Sequence, residues 1–119
     1  MRTLELKRHS KVVITLLAVC FLAVACASVD ITKTSSGFYD PSDPNTVQIL
    51  KTRPTRTYEE LGTITAYRFS ASETAVMHNA IRAKAAALGA DAAILTEEGF
   101  NDSGHWAMGV AIRYTGPAK

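Results

Sequence analysis

The sequence predicts an α+β domain, a small and mainly antiparallel sheet in ββαββ order covered by one helix. Three observations carry this expectation. Trp106, Met108, Val110, Ile112 and Tyr114 alternate with Ala107, Gly109, Ala111 and Arg113, the period of a strand. Met77, Ile81, Ala85 and Leu88 recur at spacings of 4, 4 and 3, which puts them on one helical face. Strand-like segments stand on both sides of that helix, and a sheet is what its apolar stripe can be buried against.

Each element has its own signal. Val47–Leu50 is a short strand candidate, followed by a basic loop, KTRPTRT, around Pro54. In Tyr58–Phe69, Thr63, Thr65, Tyr67 and Phe69 alternate against Ile64, Ala66 and Arg68. Ser70-Ala-Ser-Glu73 has the capping-box pattern, which opens a helix expected from about Ser72 to Leu88. Gly89 supplies its left-handed stop. Ala92–Thr96 reads as a buried strand and Glu97–Gly104 as a turn region before the last strand. Asp91 is expected to cap N–H groups in the turn after the helix. The small face of Ala107, Gly109 and Ala111 admits close approach, either by the helix or by a second subunit. A domain of roughly 70 residues buries only about 60% of its unfolded surface, so a homo-oligomer is one way to gain burial.

Ahead of this domain the composition changes twice. Residues 1–11 are polar and basic, and Val12–Ala25 carries no charge and no helix breaker. A charged start, an apolar run and a small-residue exit describe a secretory signal peptide over residues 1–25. Read on to Val29, the uncharged run reaches only the short end of a membrane-spanning helix. Residues 27–46, rich in Ser, Thr, Asp and Pro, read as a flexible linker or spacer, with Phe38-Tyr39 as an alternative partner-binding segment. Such a spacer reaches about 25 Å as a coil. The expected division is therefore 1–25 leader, 26–46 anchor and linker, and 47–119 domain.

Leu22-Ala23-Val24-Ala25-Cys26 resembles the bacterial lipobox. That resemblance implies cleavage before Cys26 and acylation of its thiol, with the membrane as partner through the acyl chains. Ala27 is not the Asp that typifies inner-membrane retention, which implies the outer membrane, facing the periplasm. Ala23-Val24-Ala25 also fits an ordinary cleavage site, which would leave a soluble periplasmic or secreted chain. The chain's other cysteine, Cys20, lies inside the leader, so the thiol of Cys26 has no structural partner.

Charge excludes one class of function. The chain holds 13 Lys+Arg and 11 Asp+Glu, but Arg2, Lys7, Arg8, Lys11 and Glu5 belong to the leader, leaving 9 against 10. A neutral body without a basic stripe argues against nucleic acid as a partner.

The run Ile81–Leu95, ending in LGADAAIL, resembles a signature of small bacterial envelope lipoproteins of unknown function. YbjQ-like domains and the outer-membrane sensor lipoprotein of the Rcs stress pathway share it. Arg53-Pro54 and Tyr58-x-x-Leu61-Gly62-x-Ile64 extend the likeness upstream. The resemblance implies a fold rather than a chemistry. Residues 27–119 lack cysteine, unlike the Rcs sensor with its disulfides, which argues against redox-linked sensing.

Candidate chemistry is sparse. His78 reads as a boundary residue of the helix. His105-Trp106, with Glu97, Glu98 and Asp102 across the turn, forms a His/carboxylate group suited to a cation, a ligand or acid–base work. No nucleophile elbow, phosphate loop, HExxH or CxxC pattern is present. The expected function is that of a lipid-anchored, non-enzymatic envelope protein binding a protein or envelope component, with no cofactor. The alternative is a metal- or ligand-binding module or enzyme built on Glu97, Asp102 and His105.

Overall fold

The computed structural model describes residues 27–117, so the leader and Cys26 lie outside the described residues. It shows an α+β fold of five strands and one α-helix. The strands are β1 (Ser28–Lys33), β2 (Gln48–Leu50), β3 (Tyr58–Phe69), β4 (Ala92–Asn101) and β5 (Gly104–Tyr114). The helix α1 (Thr74–Ala87) follows a 3-10 turn at Ala71–Glu73. The sheet order is β1-β3-β5-β4-β2. All neighbours are antiparallel except β2 and β4, which run parallel, so the sheet is mixed.

Two expectations need correction. The element order is not ββαββ, because a further strand precedes the predicted four. That strand is β1, inside the segment read as a flexible linker. It pairs with β3 from Ser28↔Tyr67 to Lys33↔Gly62. Its apolar residues Val29 and Ile31 fall on one face and join the core under the helix. Segment composition hid this two-residue alternation. The rest of the presumed spacer is also tied down. Ser42 Oγ donates to the Ala90 carbonyl at 2.6 Å, and the Ser42 N–H donates to the Ala86 carbonyl at 2.9 Å. Tyr39 donates its hydroxyl to Glu59, and the Arg113 guanidinium lies 4.3 Å from the Tyr39 ring centre. That bond to Glu59, with burial added, pushes the Tyr39 hydroxyl above its ordinary 10.0, and Arg113 only partly opposes it.

The helix forms where its signals place it. The Ser70 N–H donates to Glu73 Oε1 at 3.0 Å, closing half of the capping box. The same bond from Ser70 holds the Glu73 carboxyl below its ordinary 4.5. Met77, Ile81, Ala85 and Ala86 are buried against the sheet. Gly89 ends the helix at φ +82°, and a Cβ there would meet Tyr39 and the Asp40 carbonyl. Asp91 does not cap that turn. It accepts the Tyr114 N–H at 2.9 Å and so holds the end of β5.

The core lies between α1 and one face of the sheet, with Leu61, Ile64, Met77 and Ile81 fully buried. Burying each such side chain favours folding by about 1.5–3 kcal/mol. The small residues Ala107 and Ala111 of β5 face this layer. They admit the helix, and the alternative of a second subunit against that face is thereby corrected. The large residues of β5 therefore point to the sheet's uncovered side. There Ile112, Val110 and Tyr114 gather with Ala92, Ile94, Leu50 and Tyr58. Arg56 from the basic loop lies 4.0 Å from the Tyr114 ring centre. Trp106 and Met108, nearer the start of β5, keep more open surroundings, and Met108 is 46% exposed.

Candidate functional site

Two irregularities in the sheet build a polar cluster on its helix-covered face, at the hairpin end. In β4, Leu95 pairs with Gly109 but Glu97 pairs with Met108, so Thr96 is an extra residue. A bulge of this kind shifts which face the following side chains take. Glu98 pairs with Ala107 and Phe100 with His105, so both reach the helix side. Strict alternation would have sent Glu97 there instead. A second bulge in β3, with Arg68 at φ 65°, brings Phe69 opposite His105. The expected turn over Glu97–Gly104 is thus mostly strand, and the chain reverses only at Asp102-Ser103. Tertiary pairing overrides the weak strand propensity of Glu-Glu-Gly.

Glu98 is the centre of the cluster. His105 Nε2 lies 3.2 Å and His78 Nε2 3.3 Å from the same carboxylate oxygen, Oε1. Lys51 donates to the other oxygen. On the far side of the ring, Thr74 Oγ1 lies 3.4 Å from His105 Nδ1. The ring of Phe100 stacks on His105 with centroids 4.5 Å apart. His105 is 3% exposed, the one buried polar or charged side chain among the described residues. Burial pushes the Glu98 carboxyl up, but the bonds from Lys51 and His78 and their charge outweigh it, holding it below the ordinary 4.5. An ionised Glu98 only accepts, so His78, which hydrogen-bonds Oε1, presents its Nε2–H to it, while His105 Nε2 stands beside the same oxygen.

That assignment limits the chemistry. Thr74, His105 and Glu98 have the connectivity of a hydroxyl–imidazole–carboxylate relay. Glu98 is shared with His78 and Lys51, however, and is not reserved for His105. The arrangement acts as a clamp that joins the β2 loop, α1 and the β4–β5 hairpin through one carboxylate. Among the described residues, no group of three His, Cys, Asp or Glu side chains is placed to hold a metal ion.

Of the residues singled out from sequence, the structure brings together only Glu98 and His105. Glu97 lies opposite Met108 on the uncovered face, and Asp102 is exposed in the hairpin turn. Trp106 lies across Gly99 on that same uncovered face, where a Cβ on Gly99 would meet the indole at 3.0 Å. The site missed His78, read as a boundary residue, and Lys51 and Thr74, which carried no signal. Cys26, the lipid-attachment candidate, lies outside the described residues. No described helix is long and apolar enough to cross a membrane.

A second feature is an open groove of about 620 Å³ along the short edge strand β2. Asn79 and Arg82 of α1 line it, and Arg82 Nε donates to the Val47 carbonyl at 3.1 Å.

No family model matches the chain, and no curated protein matches it. Among solved structures, the crystal structure of a Francisella virulence factor, FvfA, is similar with a TM-score of 0.52. The likeness covers 71% of this chain and 96% of that one at 14% identity. At that identity it speaks to the fold alone.

Proposed function

We propose that this chain is a lipid-anchored envelope protein of the outer membrane, facing the periplasm. It binds a protein or another envelope component and does not catalyse a reaction. The observation that carries this reading is Leu22-Ala23-Val24-Ala25-Cys26 at the exit of an uncharged run beginning at Val12. The resemblance of Ile81–Leu95 to the LGADA-type signature of envelope lipoproteins supports it. The binding surface is the uncovered sheet face around Trp106, Met108, Thr63 and Thr65. Aromatic residues and Met are enriched at protein interfaces, and here they stand beside small polar neighbours. A Cys26→Ser variant is expected to leave the membrane fraction for the soluble periplasmic fraction. Its retention on the membrane contradicts the anchor.

A second reading is the metal- or ligand-binding module on His105, whose buried imidazole lies 3.2 Å from Glu98. Its test is calorimetric titration of the wild type with Zn²⁺ against a Glu98→Gln/His105→Gln double variant. Equal heats from the two dismiss it.

A further inference from the structure

The position of β1 decides how an anchored domain meets its membrane. β1 starts at Ser28, so Ala27 alone separates the fold from Cys26. Two residue steps span at most about 7 Å. An acylated Cys26 therefore leaves no spacer, and the end of the sheet where β1 begins is held at the bilayer.

The sheet register says what else stands at that end. Ser28 pairs with Tyr67 of β3, and two residues further on Phe69 pairs with His105, which pairs with Phe100. Phe69, His105 and Phe100 thus lie beyond Ser28 in the N-terminal direction of β1. The turn Asp102-Ser103 lies further still. From β1 to β4 is three strand spacings, about 14 Å. The ring of Phe100 is 66% exposed on this end, and α1 begins there with Val76 53% exposed in its first turn. Phe38, by contrast, follows the opposite end of β1 and points no apolar surface toward the anchor.

We infer that the β4–β5 hairpin end of the domain docks on the surface of the bilayer that holds Cys26. Phe100 enters the headgroup region as its principal contact, and Val76 in the first turn of α1 adds exposed apolar surface at the same end. This inference rests on the anchoring reading above. Interfacial aromatic side chains add affinity to an acyl anchor and fix orientation. The lipid-facing end is the end the Glu98 clamp holds rigid, because Phe100 stacks on His105. The uncovered sheet face then stands upright from the membrane, open to a partner.

Trp106 is the chain's only tryptophan, which permits a direct test. Mature protein purified from membranes is reconstituted in phosphatidylethanolamine/phosphatidylglycerol vesicles, with or without lipids brominated near the headgroup. In a Trp106→Phe background, the Phe100→Trp variant is expected to lose emission to brominated lipid and to shift to the blue. The Tyr58→Trp variant, at the far end of β3, is expected to show neither change. Hydrogen exchange of the unmodified protein is expected to slow at residues 99–104 on vesicles, which checks the result without substitution. Acylated protein with no quenching at position 100, or with equal quenching at 58, overturns the docking and leaves the anchor standing. A mass showing no acyl group on Cys26 overturns both.

Discussion

At the scale of single residues, the clamp on Glu98 ties a solvent-exposed carboxylate to α1 and to the loop after β2. A Glu98→Gln substitution keeps the shape and removes the charge that Lys51 and His78 bond and His105 Nε2 lies against. The expected loss is about 0.5–1 kcal/mol of folding stability, the scale of solvent-screened bonds to an exposed charge, measured by urea unfolding at neutral pH. Acid is expected to do the same to the wild type. Folding lowers the carboxyls of Glu98 and Glu73, so the unfolded chain takes up their protons first as pH falls. Their contribution is complete above the ordinary 4.5 and drains away below it, through the folded values. The acid limb of the stability curve is therefore expected to flatten in Glu98→Gln, and an unchanged limb contradicts this. His105 and Glu98 were visible in the sequence as a His/carboxylate group. Their true partners were not, because Thr96 bulges and swaps the faces of Glu97 and Glu98. Nothing in a local pattern marks which of two adjacent glutamates the sheet turns inward.

At the scale of elements, the helix was readable because its signals are local. A capping box, one apolar stripe and a stop glycine all fall within twenty residues. β1 was not, because Ser, Thr and Asp around Val29 and Ile31 read as linker until a partner strand is known. Only its long-range register with β3 makes it a strand. Gly62 is where that pairing is tightest: a Cβ there would stand 2.7 Å from the Thr32 carbonyl and 3.3 Å from Lys33 Cα. A Gly62→Ala variant is expected to push β1 off the sheet edge and cost about 1–3 kcal/mol. Limited proteolysis is expected to cut that variant within residues 34–46 faster than the wild type. Val29→Asp, which places a charge against the core, is expected to do so more strongly. Unchanged cutting in both contradicts the role given to β1.

At the scale of the whole molecule, β1 starting at Ser28 leaves no spacer behind the anchor proposed at Cys26. A domain on a flexible tether samples all orientations, whereas one that begins a single residue after its anchor presents a fixed end to the membrane. Under the proposed anchoring the same geometry separates three surfaces: a hairpin end for lipid, a sheet face for a partner and a helix turned the other way. The small face of β5, read from sequence as a candidate subunit contact, lies under α1, and the uncovered face is the one a homo-oligomer is proposed to use. Sedimentation of fragment 27–119 is expected to give a mass that falls on Met108→Lys if that face self-associates. The leader, the anchor and the address were argued from sequence, and the orientation follows only once β1 is placed. The most direct measurement is the intact mass of the mature N-terminal peptide from membrane-purified protein. The expected peptide begins at Cys26 and carries acyl chains. A peptide that retains residues of the leader, or begins at Cys26 with a free thiol, contradicts it.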